Sequence, residues 1–277
     1  MMSFSYGKVP LVVGASSGMG KACAEYLCTQ GYHVYGTSRR VAFPSDTAYL
    51  KDAGFLAMVP LDVTDDASIE RAVDFVIKQE GEIGVLLNCA GYGLGGAVED
   101  ISREEAHHIF DTNIIGMMMV CRQVLPHMRA QQRGLIVNIG SVAGLFALPF
   151  QSMYSATKYA VEAMTESLRM EVKPFGIKVA LIDPGDISTG FTAARQTSKA
   201  AQVNPTYKER HDKAVNAMIK SELGGPGPEI VVRAFARILN SKNPPVRVIT
   251  SLDYRAAAML KRLVPARLVE FIIERIY

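Results

Sequence analysis

Short, nearly unbroken apolar runs alternate along this chain with longer segments in which apolar positions recur every three or four residues. The runs cover residues 9–13, 33–37, 55–60, 85–88, 135–139, 178–182 and 246–250. They are rich in Val, Ile and Leu and lack polar alternation, as strands covered on both faces do. Helices are predicted between them, over residues 18–30, 66–80, 102–129, 150–173 and 228–240. Asp66 is placed to cap the second helix, and Pro228 with Glu229 suits a first helical turn. Strands that alternate with crossover helices predict an α/β protein, a doubly wound Rossmann fold with a parallel seven-stranded sheet. No internal repeat or low-complexity linker divides the chain, so residues 1–277 are read as one domain.

Two segments depart from the rhythm. Residues 190–227 turn polar and small, with an ambiguous helix near 207–220, and end in Gly224-Gly225-Pro226-Gly227-Pro228. An insert of this length after a strand is expected to be functional, here as a substrate lid. After Leu252 the pattern is helical again. From Pro265 onward Leu268, Phe271, Ile272 and Ile276 share one face, which predicts an amphipathic helix packed on the body, with a membrane-surface or partner-binding helix as the alternative.

Composition narrows the function. At 49% hydrophobic and 21% charged the chain is globular. A net charge of +3, with no basic run, gives no case for nucleic acid. No apolar run reaches the ~20 residues of a membrane span, and residues 1–6 lack the look of a signal peptide. Cys23, Cys28, Cys89 and Cys121 form no CxxC pair and are read as reduced thiols in a cytoplasmic protein. His107 and His108 are adjacent on a helix and diverge, so no metal site is expected.

The candidate chemistry starts at Gly14-Ala15-Ser16-Ser17-Gly18-Met19-Gly20, which links the first strand to the first helix. A phosphate needs close backbone approach, which glycine permits, and free amide donors, which a helix N-terminus supplies. Tight strand-to-helix turns also use glycine for packing alone. The second strand ends in Thr37-Ser38-Arg39-Arg40. Where an acid would hold ribose hydroxyls and repel a 2′-phosphate stand Ser38 and Arg39. A guanidinium suits a phosphate in charge and shape, so NADP(H) is expected over NAD(H). Asp62, followed by Val63, is read either as an acceptor for the adenine amino group or as a helix-capping turn. Asn88-Cys89-Ala90-Gly91 closes the fourth strand with small residues, Ala90 and Gly91, that let a cofactor ribose approach, while Asn88 has the alternative of bracing neighbouring strands.

At the reacting end, Tyr154 and Lys158 lie four residues apart, on one helix face. A tyrosine, with an ordinary pKa of about 10, needs a nearby cation to carry a proton readily in both forms. Tyr154 is therefore read as general acid/base and Lys158 as its electrostatic tuner. The spacing also arises by chance on any helix, and Ser141 gives it meaning. Ser141 follows the fifth strand thirteen residues before Tyr154, at the carboxyl edge where open α/β sheets bind ligands, with a hydroxyl to donate to a substrate oxygen. Asn113 is polar within an apolar helix stretch and is read either as a buried amide at a kink or as a water holder in a proton relay through Lys158. Pro184-Gly185-Asp186-Ile187-Ser188-Thr189 follows the sixth strand and is read as facing the nicotinamide, through the Ile187 backbone and the Thr189 hydroxyl.

With these residues in place the chain resembles the short-chain dehydrogenase/reductase family, in its short single-domain branch, over residues 8–250. A softer similarity points to 17β-hydroxysteroid dehydrogenases and retinol-type reductases. The resemblance implies Asn113, Ser141, Tyr154 and Lys158 as a catalytic tetrad. It also implies Gly14, Gly18 and Gly20 at the pyrophosphate, Asp62 at the adenine and Asn88 to Gly91 beside the cofactor. Val13, where the family often has Thr, and Cys89, where it often has Asn, depart from the pattern.

Gly93, Leu94, Ser141, Val142, Leu145, Phe146 and Phe150 are the expected substrate contacts. They are mostly apolar, which predicts a hydrophobic ketone or secondary alcohol, steroid-like or polyketide-like. The rival reading is a non-catalytic NADP(H)-binding sensor on the same fold, with sugar epimerisation or dehydration as a third. The long helices at 102–129 and 150–173 suit pairing between subunits in a homodimer or homotetramer.

Overall fold

The computed structural model describes residues 5–43 and 54–277. Residues 1–4 of the N-terminal stretch read above lie outside them. Seven strands form one sheet: β1 (Pro10–Val13), β2 (His33–Ser38), β3 (Phe55–Pro60), β4 (Val85–Asn88), β5 (Gly134–Ile139), β6 (Ile177–Asp183) and β7 (Arg247–Ile249). Their order is β3-β2-β1-β4-β5-β6-β7, with every pairing parallel. This is the doubly wound arrangement that the alternating pattern predicts, and the order reverses between β1 and β4.

Burial on both sides explains the near-continuous apolar strands. Leu11, Leu86, Ile136 and Val179 face one core, shared with Ile69, Val73 and Val76 of α2 (Asp66–Glu80) and with Val120 and Val124 of α4 (Gly116–Ala130). Their neighbours Val12, Leu87, Val137 and Ala180 face the other. There they meet Cys23, Ala24 and Leu27 of α1 (Gly18–Thr29) and Val231, Phe235 and Ile238 of α8 (Glu229–Leu239). All four cysteines are free thiols, and burial pushes those of Cys23 and Cys121 up to about 12, as expected for reduced core residues.

Three local details differ from expectation. The cap of α2 is Asp65, whose side chain accepts from the Ala67 amide at 3.0 Å, rather than Asp66, which lies inside the first turn. The helix expected over 102–129 is interrupted. α3 (Arg103–Phe110) opens with a capping box of Ser102 and Glu105, then passes through a π turn at Asp111–Ile115 into α4. α5 (Ser152–Glu171) starts two residues late, because Phe150 takes φ +60° and Gln151 forms a bridge with Gly96.

The segment 190–227 has structure of its own. A single turn, α6 (Phe191–Ala194), leads to Gln196–Thr197, which pairs in parallel with Leu94–Gly95, and then to α7 (Lys208–Gly224). The tail forms α9 (Leu252–Lys261) and α10 (Ala266–Ile276). The inward face of α10 is offset from the expected one. Val269, Ile272, Ile273 and Ile276 border a cavity, while Leu268 and Phe271 do not. No helix among the described residues is long and apolar enough to cross a membrane.

Phe235 is the largest wholly buried side chain on the α1/α8 face. Phe235→Ala is expected to cost about 3–5 kcal/mol, read as a lower urea midpoint with an unchanged slope.

Candidate active site

Parallel strands bring their carboxyl ends to one edge, and every candidate residue lies at or beyond it. At β1 the turn into α1 is built from glycine out of necessity. Gly14 has φ +81° and Gly18 φ +56°, conformations that L side chains rarely adopt. At Gly20 a Cβ would overlap the Gly14 carbonyl oxygen. Ser17 stands at the helix N-cap without a side-chain capping bond, and no acid occupies the first turn. The first amides of α1 therefore meet neither a covering side chain nor a repelling charge. This cradle fits an anionic group such as a dinucleotide phosphate. Thr189 closes it from the far side, within 3.5 Å of where a Gly18 Cβ would stand.

Around the cradle, Ser38 and the exposed Arg39 end β2. Asp62 accepts from the Thr64 amide at 3.0 Å and from the Thr64 hydroxyl at 2.8 Å. Burial opposes its charge, but these bonds and the Arg39 guanidinium hold its carboxyl below the usual range. The local turn is the geometry observed, while the cap of α2 is left to Asp65. Asn88 is a strand brace. Its Nδ2 donates to Asn138 Oδ1 at 2.9 Å across the β4–β5 register, and Asn138 donates to Thr165 at 2.9 Å.

Ser141, Tyr154 and Lys158 come together in the wall of one cavity of about 840 Å³. Ser141 caps a short 3₁₀ turn, its Oγ accepting from the Ala143 amide at 3.1 Å. It stands with Tyr154 in the cavity wall, and Tyr154 packs against Phe191 at 5.7 Å between ring centroids. Burial pushes Tyr154 up to about 12. The Ser141 hydroxyl and the Arg195 charge pull downward, and the Glu222 charge adds to the rise. Lys158 is buried, donates to the Ile139 carbonyl at 2.9 Å and lies 5.8 Å from the Tyr154 ring centroid. The lowering expected from Lys158 is not what governs the phenol here: burial raises it, and the groups that act on it are Ser141, Glu222 and Arg195. Burial also lowers the Lys158 pKa, against the opposing pull of Asp183.

Asn113 sits in the π turn and is wholly buried. Its Oδ1 accepts from the Tyr92 amide at 3.0 Å, and its Nδ2 donates to the Tyr92 carbonyl at 2.9 Å and to Thr157 at 3.2 Å. The side chain is thus fully engaged as the buried amide of a kink, bolting the segment after β4 to α5.

The cavity wall differs from the expected substrate face. Val142 and Phe146 line it, as do Gly91, Met19, Pro184, Gly185, Ile187 and Thr189, but Gly93, Leu94, Leu145 and Phe150 do not. Leu94 is buried behind Tyr154, and Phe150 turns to Tyr207 and His211. The far wall is made of α7, α9 and α10 instead. Three polar features in and around the cavity escaped the sequence. Glu222 pairs with Arg195 and accepts from Thr192 at 2.7 Å. Asp186 accepts from Ser221 and Tyr254, each at 2.7 Å. Asp183 is buried behind Ser141. Only Asp186 and Asp183 carried a signal, flanking the Pro184-Gly185 pair; the Arg195–Glu222 contact spans 27 positions and has none. Among the described residues no cluster suits a metal ion.

The geometry agrees with comparisons to known proteins. Residues 8–200 match the family model described as short chain dehydrogenase. A 3-ketodihydrosphingosine reductase of Bacteroides thetaiotaomicron is 41% identical, over 87% of this chain and 86% of that protein. Retinol dehydrogenase 8 of Bos taurus is 30% identical, over 92% and 85%. Among solved structures, a short-chain dehydrogenase from Streptomyces avermitilis superposes with TM-score 0.79 at 33% identity, covering 93% of each chain. A short chain dehydrogenase/reductase from Burkholderia phymatum in complex with NAD gives 0.78 at 26% identity, covering 95% of each. With the parallel sheet, the glycine cradle and the Ser141–Tyr154–Lys158 cluster already in view, these matches identify the chain as a member of the short-chain dehydrogenase/reductase family of oxidoreductases.

Proposed function

We propose that this protein reduces a long-chain or otherwise bulky apolar ketone to a secondary alcohol, with NADP(H) as cofactor. One observation carries the reading: Ser141 and Tyr154 stand together in the wall of a large cavity whose remaining lining is mainly apolar. A bound reduced nicotinamide supplies the hydride. Ser141 orients the ketone oxygen, and Tyr154, held protonated by burial, gives that oxygen its proton as charge develops. Lys158 places a positive charge beside the phenol and the Ile139–Ser141 turn. Gly14, Ser16, Ser17, Gly18, Met19 and Gly20 hold the pyrophosphate. Asp62, Val63, Ala90 and Gly91 border the adenosine side, and Pro184, Gly185, Ile187 and Thr189 border the nicotinamide. Asn113 acts at one remove, by fixing Tyr92 and Thr157.

The substrate class rests on the wall formed by Leu260, Val264, Val269, Ile272 and Ile276. The lipid ketone in the name of the Bacteroides relative makes 3-ketodihydrosphingosine the first compound to try. The preference for NADP(H) rests on Ser38 and Arg39 standing at the end of β2 in place of an acid. Residues 190–227 close over the substrate as a lid, whose two ends are held to each other by Glu222 with Thr192 and Arg195.

Three outcomes are expected. Tyr154→Phe loses about a hundred- to ten-thousand-fold in kcat while NADPH binding persists, read at 340 nm with long-chain, steroid and aromatic ketones beside a fluorescence titration of the cofactor. Equal turnover by parent and variant removes Tyr154 from the chemistry. Arg39→Asp reverses the ratio of kcat/KM for NADPH and NADH, and an unchanged ratio takes the preference away from Arg39. Amide exchange across 208–224 slows when cofactor and ketone bind together, whereas exchange that is slow from the start and indifferent to ligand rules out a lid.

A further inference from the structure

Asp183 ends β6 with no exposed surface, beside the strand β5 that leads to Ser141. A carboxylate there is costly unless something holds it. Among the described residues neither of its oxygens receives a well-directed hydrogen bond. What surrounds it is charge. The Arg247 Nε of β7 lies 3.2 Å from Oδ2, the Ser141 amide is close by, and the Lys158 ammonium acts on it. Arg247 in turn pairs with Glu162 and lies 3.1 Å from Glu166. Glu162 and Glu166 follow Lys158 at intervals of four along α5, so they stand on the same face. Positive and negative groups therefore alternate from Lys158 to Asp183, Arg247, the buried Glu162 and the exposed Glu166.

A second observation ties Asp183 to the site. A Cβ at Gly140 would overlap Asp183 Oδ1. The glycine between Ile139 and Ser141 thus leaves room for this carboxylate, which sits against the turn that carries Ser141. Lys158 holds the same turn, by donating to the Ile139 carbonyl at 2.9 Å.

We propose that Asp183 is a positioning residue, the buried counter-ion that keeps Lys158 charged and pins the Ile139–Gly140–Ser141 turn between the two groups. The proposal rests on the reading of Ser141, Tyr154 and Lys158 given above. Burial pushes the Lys158 ammonium and the Asp183 carboxylate each toward its neutral form, while their mutual attraction opposes both shifts. The other titratable groups near this pair are Cys89 and Tyr154 on the Lys158 side and Arg247 on the Asp183 side. Arg262 acts on Arg247 in turn. The pH at which Lys158 loses its proton thus depends on burial first and, against it, on a residue outside the tetrad that the family resemblance implies.

The test reads Lys158 directly. In protein labelled at lysine Cε, the NMR resonance missing from the Lys158→Met spectrum is followed against pH in the parent and in Asp183→Asn, without cofactor. Loss of the opposite charge is expected to lower the midpoint by about 1–3 pH units. The alkaline limb of the kcat profile with NADPH should move the same way. A midpoint shared by parent and variant overturns the proposal whatever happens to activity. A shifted midpoint with a stationary alkaline limb leaves the counter-ion in place and instead refutes the role of Lys158 in turnover. If Asp183→Asn does not fold, Arg247→Met serves in its place. Removing the competing cation is expected to raise the Lys158 midpoint, and no change again overturns the proposal.

Discussion

Parallel pairing constrains everything else in this molecule. A strand that joins its neighbour in the same direction obliges the chain to return over a face of the sheet. The helices α1, α2, α4, α5 and α8 lie on the two faces, each face becomes a core, and the carboxyl ends of the strands gather at one edge. β1 delivers the glycine cradle to that edge, β5 delivers Ser141, and β6 delivers Asp183 and the Pro184-Gly185 turn. The order reverses between β1 and β4, and the crevice left there is lined by small residues from both strand ends. Close approach of backbones governs this edge. A Cβ at Gly14 would stand 3.0 Å from the Ala90 amide, while one at Gly91 would stand 3.1 Å from Asn113 Oδ1.

Electrostatics at the edge are set by burial first and by partners second. Tyr154 is held protonated because it is enclosed, and Ser141 and Arg195 only moderate that. In the protein without ligand this favours a proton donor over a phenolate. Lys158, turned toward the Ile139 carbonyl, braces a loop as much as it faces a ring. The hydroxyl pair, the lysine and the turn that carries Ser141 thus form one mechanical unit.

Much of this was legible in the sequence, for reasons that particular elements make plain. The bounds of β3, β4 and α2 agree with the apolar pattern because period alone defines them. The glycine turn and the Tyr154–Lys158 spacing are local, so distance along the chain preserves them. The π turn was hidden because an extra residue inside a helix leaves the apolar periodicity almost intact; only Asn113, a lone amide in an apolar stretch, marked it. Phe150 looked like a substrate contact because the run around it is apolar, but its left-handed backbone turns the ring toward α7. The face of α10 was misjudged because every position from Leu268 to Ile273 except Glu270 is apolar, and amphipathicity does not say which flank meets a neighbour. Ion pairs such as Arg195–Glu222 and Arg247–Asp183 join residues with no pattern between them.

The cavity is assembled from two parts of the chain with different obligations. Its floor comes from strand ends whose positions are dictated by the sheet, where a small displacement disturbs the core. Its far wall comes from α7, α9 and α10, which lie in residues 208–277, and neither α9 nor α10 contains a fully buried residue. Mutations in those two helices therefore meet little resistance from packing. Selection, or a protein engineer, can reshape what fits above the floor by rewriting these two helices, leaving the strand-end floor untouched.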